Sequence, residues 1–358
     1  LGQDPRVGRV DLLTQRVDDA RVSEDYAQPI EELGGCARVV RIPCGDGAYL
    51  PKEELWDSLD NFVDNALHFL REQDRPPNLV HGHYADAGYA GLRLAGQLGV
   101  PFAFTGHSLG RVKRRRLLAA GVKRALLEER SRITRRIAAE ESALGMADLV
   151  ITSTRQEVNA QYELYDYYRP EQMKVVPPGV DLERFHSPQG NERRSSIYRE
   201  LKRFLHEPEK PMVLAVSRPD ARKNITALID AFGATPELRE QANLVVVAGN
   251  RDDITEMDAG AETVLTEILL AIDRWDLYGS VAYPKHHRAD DVPMLYRLAA
   301  LSEGVFVNPA LTEPFGLTLL EAAASSLPVV ATDDGGPEDI IENCRNGYLI
   351  DPLDRNSI

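Results

Sequence analysis

Glu313-Pro314-Phe315-Gly316-Leu317-Thr318-Leu319-Leu320-Glu321 follows a short apolar run at 304–308 and opens a helical pattern at 316–326. A strand, a glycine-containing turn and a helix, in that order, form the repeating unit of an α/β protein. Pro314 suits a first helical turn, where its missing N–H costs nothing. Gly316 and its neighbours are expected to present free backbone N–H groups at the positive end of the helix dipole, which favours phosphate. Glu313 lies before the helix and Glu321 within it, too far apart to be neighbours on one helix face. They can reach two parts of one ligand lying across the helix start, and a diphosphate with a sugar at each end suits that layout.

The same alternation extends in both directions. In the first half, strands are expected at 9–14, 37–42, 78–82, 101–105 and 147–153, and helices at 52–73, 86–98, 112–120, 122–146 and 155–163. In the second half, strands are expected at 212–217, 243–248, 279–283, 304–308, 328–332 and 347–350, and helices at 223–231, 262–274, 290–301, 316–326 and 337–342. Strands alternating with helices imply parallel sheets covered on both faces. A chain of 358 residues exceeds what one core needs. Two Rossmann-like, doubly wound domains follow, joined near the Pro/Gly turn Val175-Val176-Pro177-Pro178-Gly179-Val180-Asp181, with boundaries at 1–178 and 179–358.

A net charge of −14 argues against a nucleic-acid binder, so an anionic substrate must be drawn in by local cations. The longest apolar runs, such as Leu244-Val245-Val246-Val247-Ala248, are far below a membrane span, and no membrane partner is expected. Cys36, Cys44 and Cys344 show no CxxC spacing, which fits a reduced, cytoplasmic compartment. The start at Leu1, almost directly before a strand, and the end just after one suggest a piece of a longer protein.

Ligands of open α/β sheets sit beyond the carboxyl ends of the strands, and the chemically capable residues fall there. After 212–217 comes Ser217-Arg218-Pro219-Asp220-Ala221-Arg222-Lys223-Asn224, where Arg218 and Lys223 can converge on a diphosphate or form a solvated charged loop. His107, between Gly106 and Gly110 after 101–105, can bond a sugar hydroxyl or hold a turn. His81-Gly82-His83 invites a metal reading, but no third ligand is evident and lining of a cleft is preferred. His286-His287 is a pair of loop residues on the same grounds. The basic stretch from Arg111 to Arg136 has no aromatic to stack bases, so most of it is a solvated helix face with one or two side chains turned inward to a phosphate. Lys52 is a further cation of that kind. There is no P-loop, nucleophile elbow or strand-linked GxGxxG.

These segments together resemble the retaining glycosyltransferases of family four, with the two-domain GT-B fold, and among them the sucrose-phosphate synthases. The matching residues are Thr105 to Lys113, Ser217-Arg218 with Lys223-Asn224, Ala282-Tyr283-Pro284-Lys285-His286-His287, and Asn308 to Thr318. Val175 to Asp181 and Asp334-Gly335-Gly336-Pro337 also match. The resemblance implies two domains facing a central cleft, and glucosyl transfer from UDP-glucose to fructose 6-phosphate, giving sucrose 6-phosphate and UDP. Free fructose as acceptor or GDP-mannose as donor would mark a sucrose synthase or a mannosylfructose-phosphate synthase-like enzyme. A non-catalytic sugar-phosphate-binding protein is the alternative of a different class.

By position, the resemblance implies that Arg218 and Lys223 bind the diphosphate and that Glu321 holds the ribose. Glu313 with Phe315, Gly316, Leu317 and Thr318 would hold the glucose and the diphosphate. His107 would contact a glucose hydroxyl near the reacting carbon. Lys52, Lys113 and Arg136 would hold the acceptor phosphate, with His83 on the acceptor side. His107, Arg218, Lys223 and Glu313 are thus the expected catalytic group. No metal or other cofactor is expected, and a sucrose-phosphate phosphatase is an implied partner. The family's glycine-rich loop after its first strand and its closing C-terminal helices are not found, so each domain is expected to be shortened at its outer end.

Overall fold

Along Asn243–Ala248 every residue is buried. Leu244, Val246 and Ala248 enter one apolar core, and Val245 and Val247 enter another. A period of two with both faces apolar is what a central parallel strand needs. The computed structural model describes residues 1–358, and the chain divides into two compact units, Leu1–Val176 and Pro177–Ile358.

The first unit holds β1 (Val10–Gln15), β2 (Ile30–Gly34), β3 (Ala37–Ile42), α1 (Leu59–Arg71), β4 (Val80–His83), α2 (Tyr84–Leu98) and β5 (Phe102–Thr105). It continues through α3 (Gly110–Ala119), α4 (Arg124–Ser131), α5 (Ile133–Met146), β6 (Leu149–Thr152) and β7 (Met173–Val175). Its strands form two sheets, β1-β3-β2 and the all-parallel β4-β5-β6-β7. Val80 packs against the cores of both. Strand β2 escapes the periodicity because all five of its residues are exposed on an antiparallel edge, with Glu31 and Glu32 facing solvent.

Three expected helices are corrected. The helix expected at 52–73 begins only at Leu59, because Trp56 is buried in a preceding 3₁₀ turn. The one expected at 122–146 is two helices, broken at Arg132, whose φ of 42° is left-handed. Apolar spacing continues through the break, with Leu127 and Ile133 both in the same core, so periodicity cannot reveal it. The stretch expected at 155–163 is a π turn, Glu157–Gln161, followed by a 3₁₀ turn, Tyr162–Leu164. There the buried Glu157 carboxylate accepts the Ser153 N–H at 3.0 Å.

The second unit contains α6 (Ser196–Leu201), β8 (Met212–Ser217), α7 (Ile225–Ala234), α8 (Pro236–Gln241), β9 (Asn243–Ala248), α9 (Ala259–Arg274) and β10 (Val281–Ala282). It ends with α10 (Asp291–Leu301), β11 (Val305–Asn308), α11 (Leu317–Ala324), β12 (Val329–Thr332), α12 (Pro337–Cys344) and β13 (Gly347–Ile350). All six strands are parallel, in the order β10-β9-β8-β11-β12-β13. The chain winds one way from β8 to β10 and the other way from β11 to β13. The point between β8 and β11 is therefore the crevice where such sheets take ligands. No helix is long and apolar enough to cross a membrane.

Two glycines of α2 separate packing from propensity. A Cβ on Gly88 would lie 2.6 Å from the Phe104 ring and 3.4 Å from the Ala143 Cβ, whereas one on Gly96 would meet nothing within 4 Å. Gly96→Ala should raise unfolding free energy by up to about 1 kcal/mol through helix propensity. Gly88→Ala should lower it, because overpacking costs about 1–3 kcal/mol and outweighs the same gain. Urea unfolding of the two variants reads the opposite signs.

Candidate active site

In the second unit the site grows from the loops that leave β8, β11 and β12. The β8 loop turns through a 3₁₀ segment, Ala221–Lys223, capped by Asp220 and ended by Asn224 at a left-handed φ of 54°. Asn224 Nδ2 donates to the carbonyls of Pro309 (3.1 Å) and Pro352 (2.9 Å), and the Leu311 N–H donates to the Arg222 carbonyl at 2.8 Å. These bonds sew the β8 loop to the β11 loop and to the segment after β13. They bring Lys223 Nζ to 2.6 Å from Glu313 Oε2, which also accepts from Asn308 Nδ2 at 3.1 Å.

Glu313 is buried, and its backbone is pinned by the β12 turn. Its N–H donates to the Asp334 carbonyl and its carbonyl accepts the Gly336 N–H, each at 2.9 Å. Gly335 has φ +121°, and a Cβ there would stand 2.0 Å from the Glu313 carbonyl oxygen, so only glycine lets the two loops meet. Gly316, at φ +99°, then starts α11. The helix begins at Leu317, so Pro314 lies upstream of the cap and not in the first turn, a correction of the sequence expectation. The left-handed Gly316 makes the bend that a first-turn proline would not need to make. The Leu317 and Thr318 amides have no intrahelical acceptors, and the Leu319 N–H donates to the Gly316 carbonyl at 2.9 Å. Leu317 is exposed, while Phe315 and Thr318 are half-buried.

Glu321 faces a different environment on α11. Tyr296 of α10, fully buried, donates its hydroxyl to Glu321 Oε2 at 3.1 Å. Burial raises the Glu321 pKa, partly opposed by that hydroxyl and by the Arg184 charge. Arg222 is spent on Asp220, which its guanidinium and backbone N–H hold near a pKa of about 2. Arg218 stands exposed at the loop's entry.

In the first unit β4 and β5 pair in register His83↔Thr105, so both strand ends open side by side. His83 Nδ1 lies 2.8 Å from His107 Nε2, and His81 Nε2 lies 2.8 Å from the Thr105 hydroxyl. Gly106 sits where a Cβ would be 2.5 Å from Leu109 and 2.8 Å from the Tyr162 hydroxyl, and its N–H donates to that hydroxyl at 2.9 Å.

The start of α3 is fixed from beneath by Glu140, which is completely buried. Glu140 accepts the Gly110 N–H on both oxygens, the Arg136 Nε at 2.9 Å and the Tyr165 hydroxyl. Burial raises its pKa in spite of these donors. Arg136 also donates to the Ser108 carbonyl, so it braces the His107 loop. Within the basic stretch, Arg111 turns to Glu141 and Asp166, while Arg132 and Arg135 pair with Asp57. Lys113 is half-buried on α3. Lys52 stands on the segment before α1, 71% exposed and 3.9 Å from Glu53.

The structure thus gathers Lys223, Glu313 and the start of α11 in one unit, and His83, His107 and Arg136 around one loop in the other. Asn308, Tyr296, Glu140 and Tyr165 were missed as site residues. Asn308 was visible as a polar residue ending an apolar strand, but the other three reach the site from distant helices or loops and carry no local signal. His286 lies 3.4 Å from Asp252, and the His287 N–H donates to Asn250 Oδ1 at 2.8 Å, so this pair stitches two loops.

Burial pushes the His81 pKa down to about 4, aided by the charges of His83 and His107. Between about 6.5 and about 4 the unfolded chain binds a proton that native His81 refuses, so stability falls as pH drops through that window. The stability gap between wild type and His81→Asn should therefore shrink from pH ~7.5 to pH ~4.5. Denaturant unfolding at the two pH values checks it, and a gap that widens contradicts the burial of a neutral imidazole.

Comparison with known proteins follows the same division. The Glycosyltransferase Family 4 model matches residues 8–184, and the model for Glycosyl transferases group 1 matches residues 198–358. The chain is 45% identical to Sucrose-phosphate synthase 4 of Arabidopsis thaliana over 98% of its own length and 39% of that protein's. It is 46% identical to the sucrose-phosphate synthase of Zea mays over 99% of its own length and 39% of that protein's. It therefore spans about two-fifths of the length of these curated relatives. Among solved structures it resembles a sucrose-phosphate synthase from Thermosynechococcus elongatus, with a TM-score of 0.75, 26% identity and coverage of 98% and 77% of the two chains. Anabaena HepE, solved with UDP-glucose, shares the fold at a TM-score of 0.63 and 20% identity, covering 93% of this chain and 75% of that one.

Proposed function

Because this chain belongs to the two-domain GT-B glycosyltransferases, among relatives that are sucrose-phosphate synthases, we propose that it carries a retaining glucosyl transfer from UDP-glucose to fructose 6-phosphate. The observation that carries the reaction type is the meeting of Lys223, Glu313 and the Gly316-capped start of α11 at the switch point of the second sheet. The likeness to sucrose-phosphate synthases supports the choice of both sugars.

In this reading Arg218, Lys223 and the amides of Phe315 to Thr318 receive the diphosphate. Glu313 sets the Lys223 ammonium and meets the glucose, and Glu321, held by Tyr296, accepts the ribose hydroxyls. Fixed positive potential at the diphosphate stabilises the charge that grows as the C1–O bond to UDP breaks. The acceptor hydroxyl forms the new bond on the same face and passes its proton to the departing phosphate, so no protein base is required. Glu313 and Glu321 are then holders of hydroxyls, and the helix start with the Arg218 and Lys223 cations, which call for a diphosphate, favours that over a glycosidase pair.

His107 meets a glucose hydroxyl near C1. Lys52, Lys113 and Arg136 hold the acceptor phosphate, Arg136 while still bonded to Glu140 and Ser108. No resident metal is required, since the cations occupy its place. A cytoplasmic setting and a phosphatase that consumes sucrose 6-phosphate complete the reading.

UDP release from UDP-glucose should depend on fructose 6-phosphate, with sucrose 6-phosphate identified by mass spectrometry and the rate unchanged by EDTA. Equal use of free fructose, or preference for GDP-mannose, overturns this choice of substrates. Lys223→Ala should lower kcat by about 10²–10³. Lys113→Ala should raise KM for fructose 6-phosphate far more than KM for UDP-glucose, and equal effects on both would remove Lys113 from the phosphate site.

A further inference from the structure

We propose that His83 is a positioning residue that fixes the ring orientation of His107 and ties its tautomer to that of His83. The inference rests on the reading above for the role of His107, but its geometry stands independently. His83 is the last residue of β4 and His107 lies two residues beyond β5, and the parallel register places those ends together. The backbone at His107 is left-handed, at φ 53°, as is that of Tyr84 at φ 66°. Non-glycine residues hold that conformation only where their surroundings impose it.

The ring of His107, although exposed, is flanked by two aromatic neighbours. The His83 ring lies 5.1 Å away and nearly coplanar, with an interplanar angle of 17°, as the nitrogen-to-nitrogen bond requires, and the Tyr84 ring lies at 4.7 Å. The His81 ring in turn lies 4.0 Å from that of His83, and His81 is itself tethered to Thr105. The bond from His83 Nδ1 to His107 Nε2 occupies one nitrogen of each ring.

A neutral imidazole has one donor and one acceptor nitrogen. Pairing through Nε2 therefore leaves Nδ1 as the single His107 atom that can meet a ligand, and a ring flip would break the bond. Whichever ring donates, the partner nitrogen must accept, so the state of His107 Nδ1 is tied to that of His83. A donating His83 leaves an Nδ1–H on His107 to donate to a sugar oxygen. An accepting His83 leaves a bare Nδ1 to accept from a sugar hydroxyl. This role differs from direct contact of His83 with the acceptor sugar phosphate, and the two are separable by kinetics.

The test compares His83→Leu, which removes the polar atom, with His83→Asn, whose amide can stand near the position of Nδ1. His83→Leu should lower kcat by up to about 10²-fold, the scale of a misplaced catalytic contact, with KM for fructose 6-phosphate within about twofold of wild type. His83→Asn should recover most of the loss. In ¹⁵N-histidine NMR spectra, the tautomer balance of His107 should change between wild type and His83→Leu. A raised acceptor KM with unchanged kcat would overturn the proposal in favour of direct acceptor contact. An unchanged tautomer balance in His83→Leu would overturn it as well. If the wild-type protein transfers no glucose, the functional reading fails, and the NMR comparison still decides whether His83 positions His107.

Discussion

The Lys223 ammonium against the Glu313 carboxylate is the contact on which the second unit's site depends. It closes a gap between two loops that leave neighbouring strands; Asn308 holds the carboxylate from a further direction, and the Gly335 turn holds the Glu313 backbone. Both groups are largely withdrawn from water, with side-chain exposures of 26% and 11%. Loss of either would leave the other as an uncompensated charge, the costly case for a buried pair. The pair also aims the cation at the start of α11, where helix amides already favour an anion. Geometry and charge therefore reinforce each other at one place.

The first unit solves a similar problem with a different device. Its loop from Gly106 to Leu109 is fixed through hydroxyls and one buried carboxylate. Tyr162 takes the Gly106 amide, and Glu140 takes Gly110, Tyr165 and Arg136 together. A fully buried carboxylate is tolerable only when its lone pairs are met, and here three donors converge on it. The price of burying Glu140 is offset by a loop that presents His107 in a strained but single conformation.

Environment also divides the two carboxylates that first marked the sequence. Glu313 sits beside an ammonium and an amide. Glu321 has a phenol for a partner and a pKa raised by burial. The same residue type, eight positions apart, thus acquires two characters from its neighbours. The basic stretch is divided likewise. Arg111 and Arg136 are drawn to buried or half-buried acids, Arg132 and Arg135 clamp Asp57, and Lys113 stays on the α3 face.

Apolar period and strand–helix alternation, read from the sequence alone, determined the parallel sheet of the second unit and the two Rossmann-like domains, and the resemblance of the motifs implied the GT-B class. The reason is that burial on both faces writes its demand into consecutive residues, as in Leu244 to Ala248. Residues placed directly after strands, Lys223, Glu313 and His107, were legible for the same reason, since the ends of parallel strands are where such sheets bind. Only the tertiary structure decided the break at Arg132, the left-handed cap of α11 at Gly316, the pairing of His83 with His107, and the bonds from Tyr296 and Glu140. Those depend on backbone torsions and on partners many residues away, and neither hydrophobic period nor local motif carries that information.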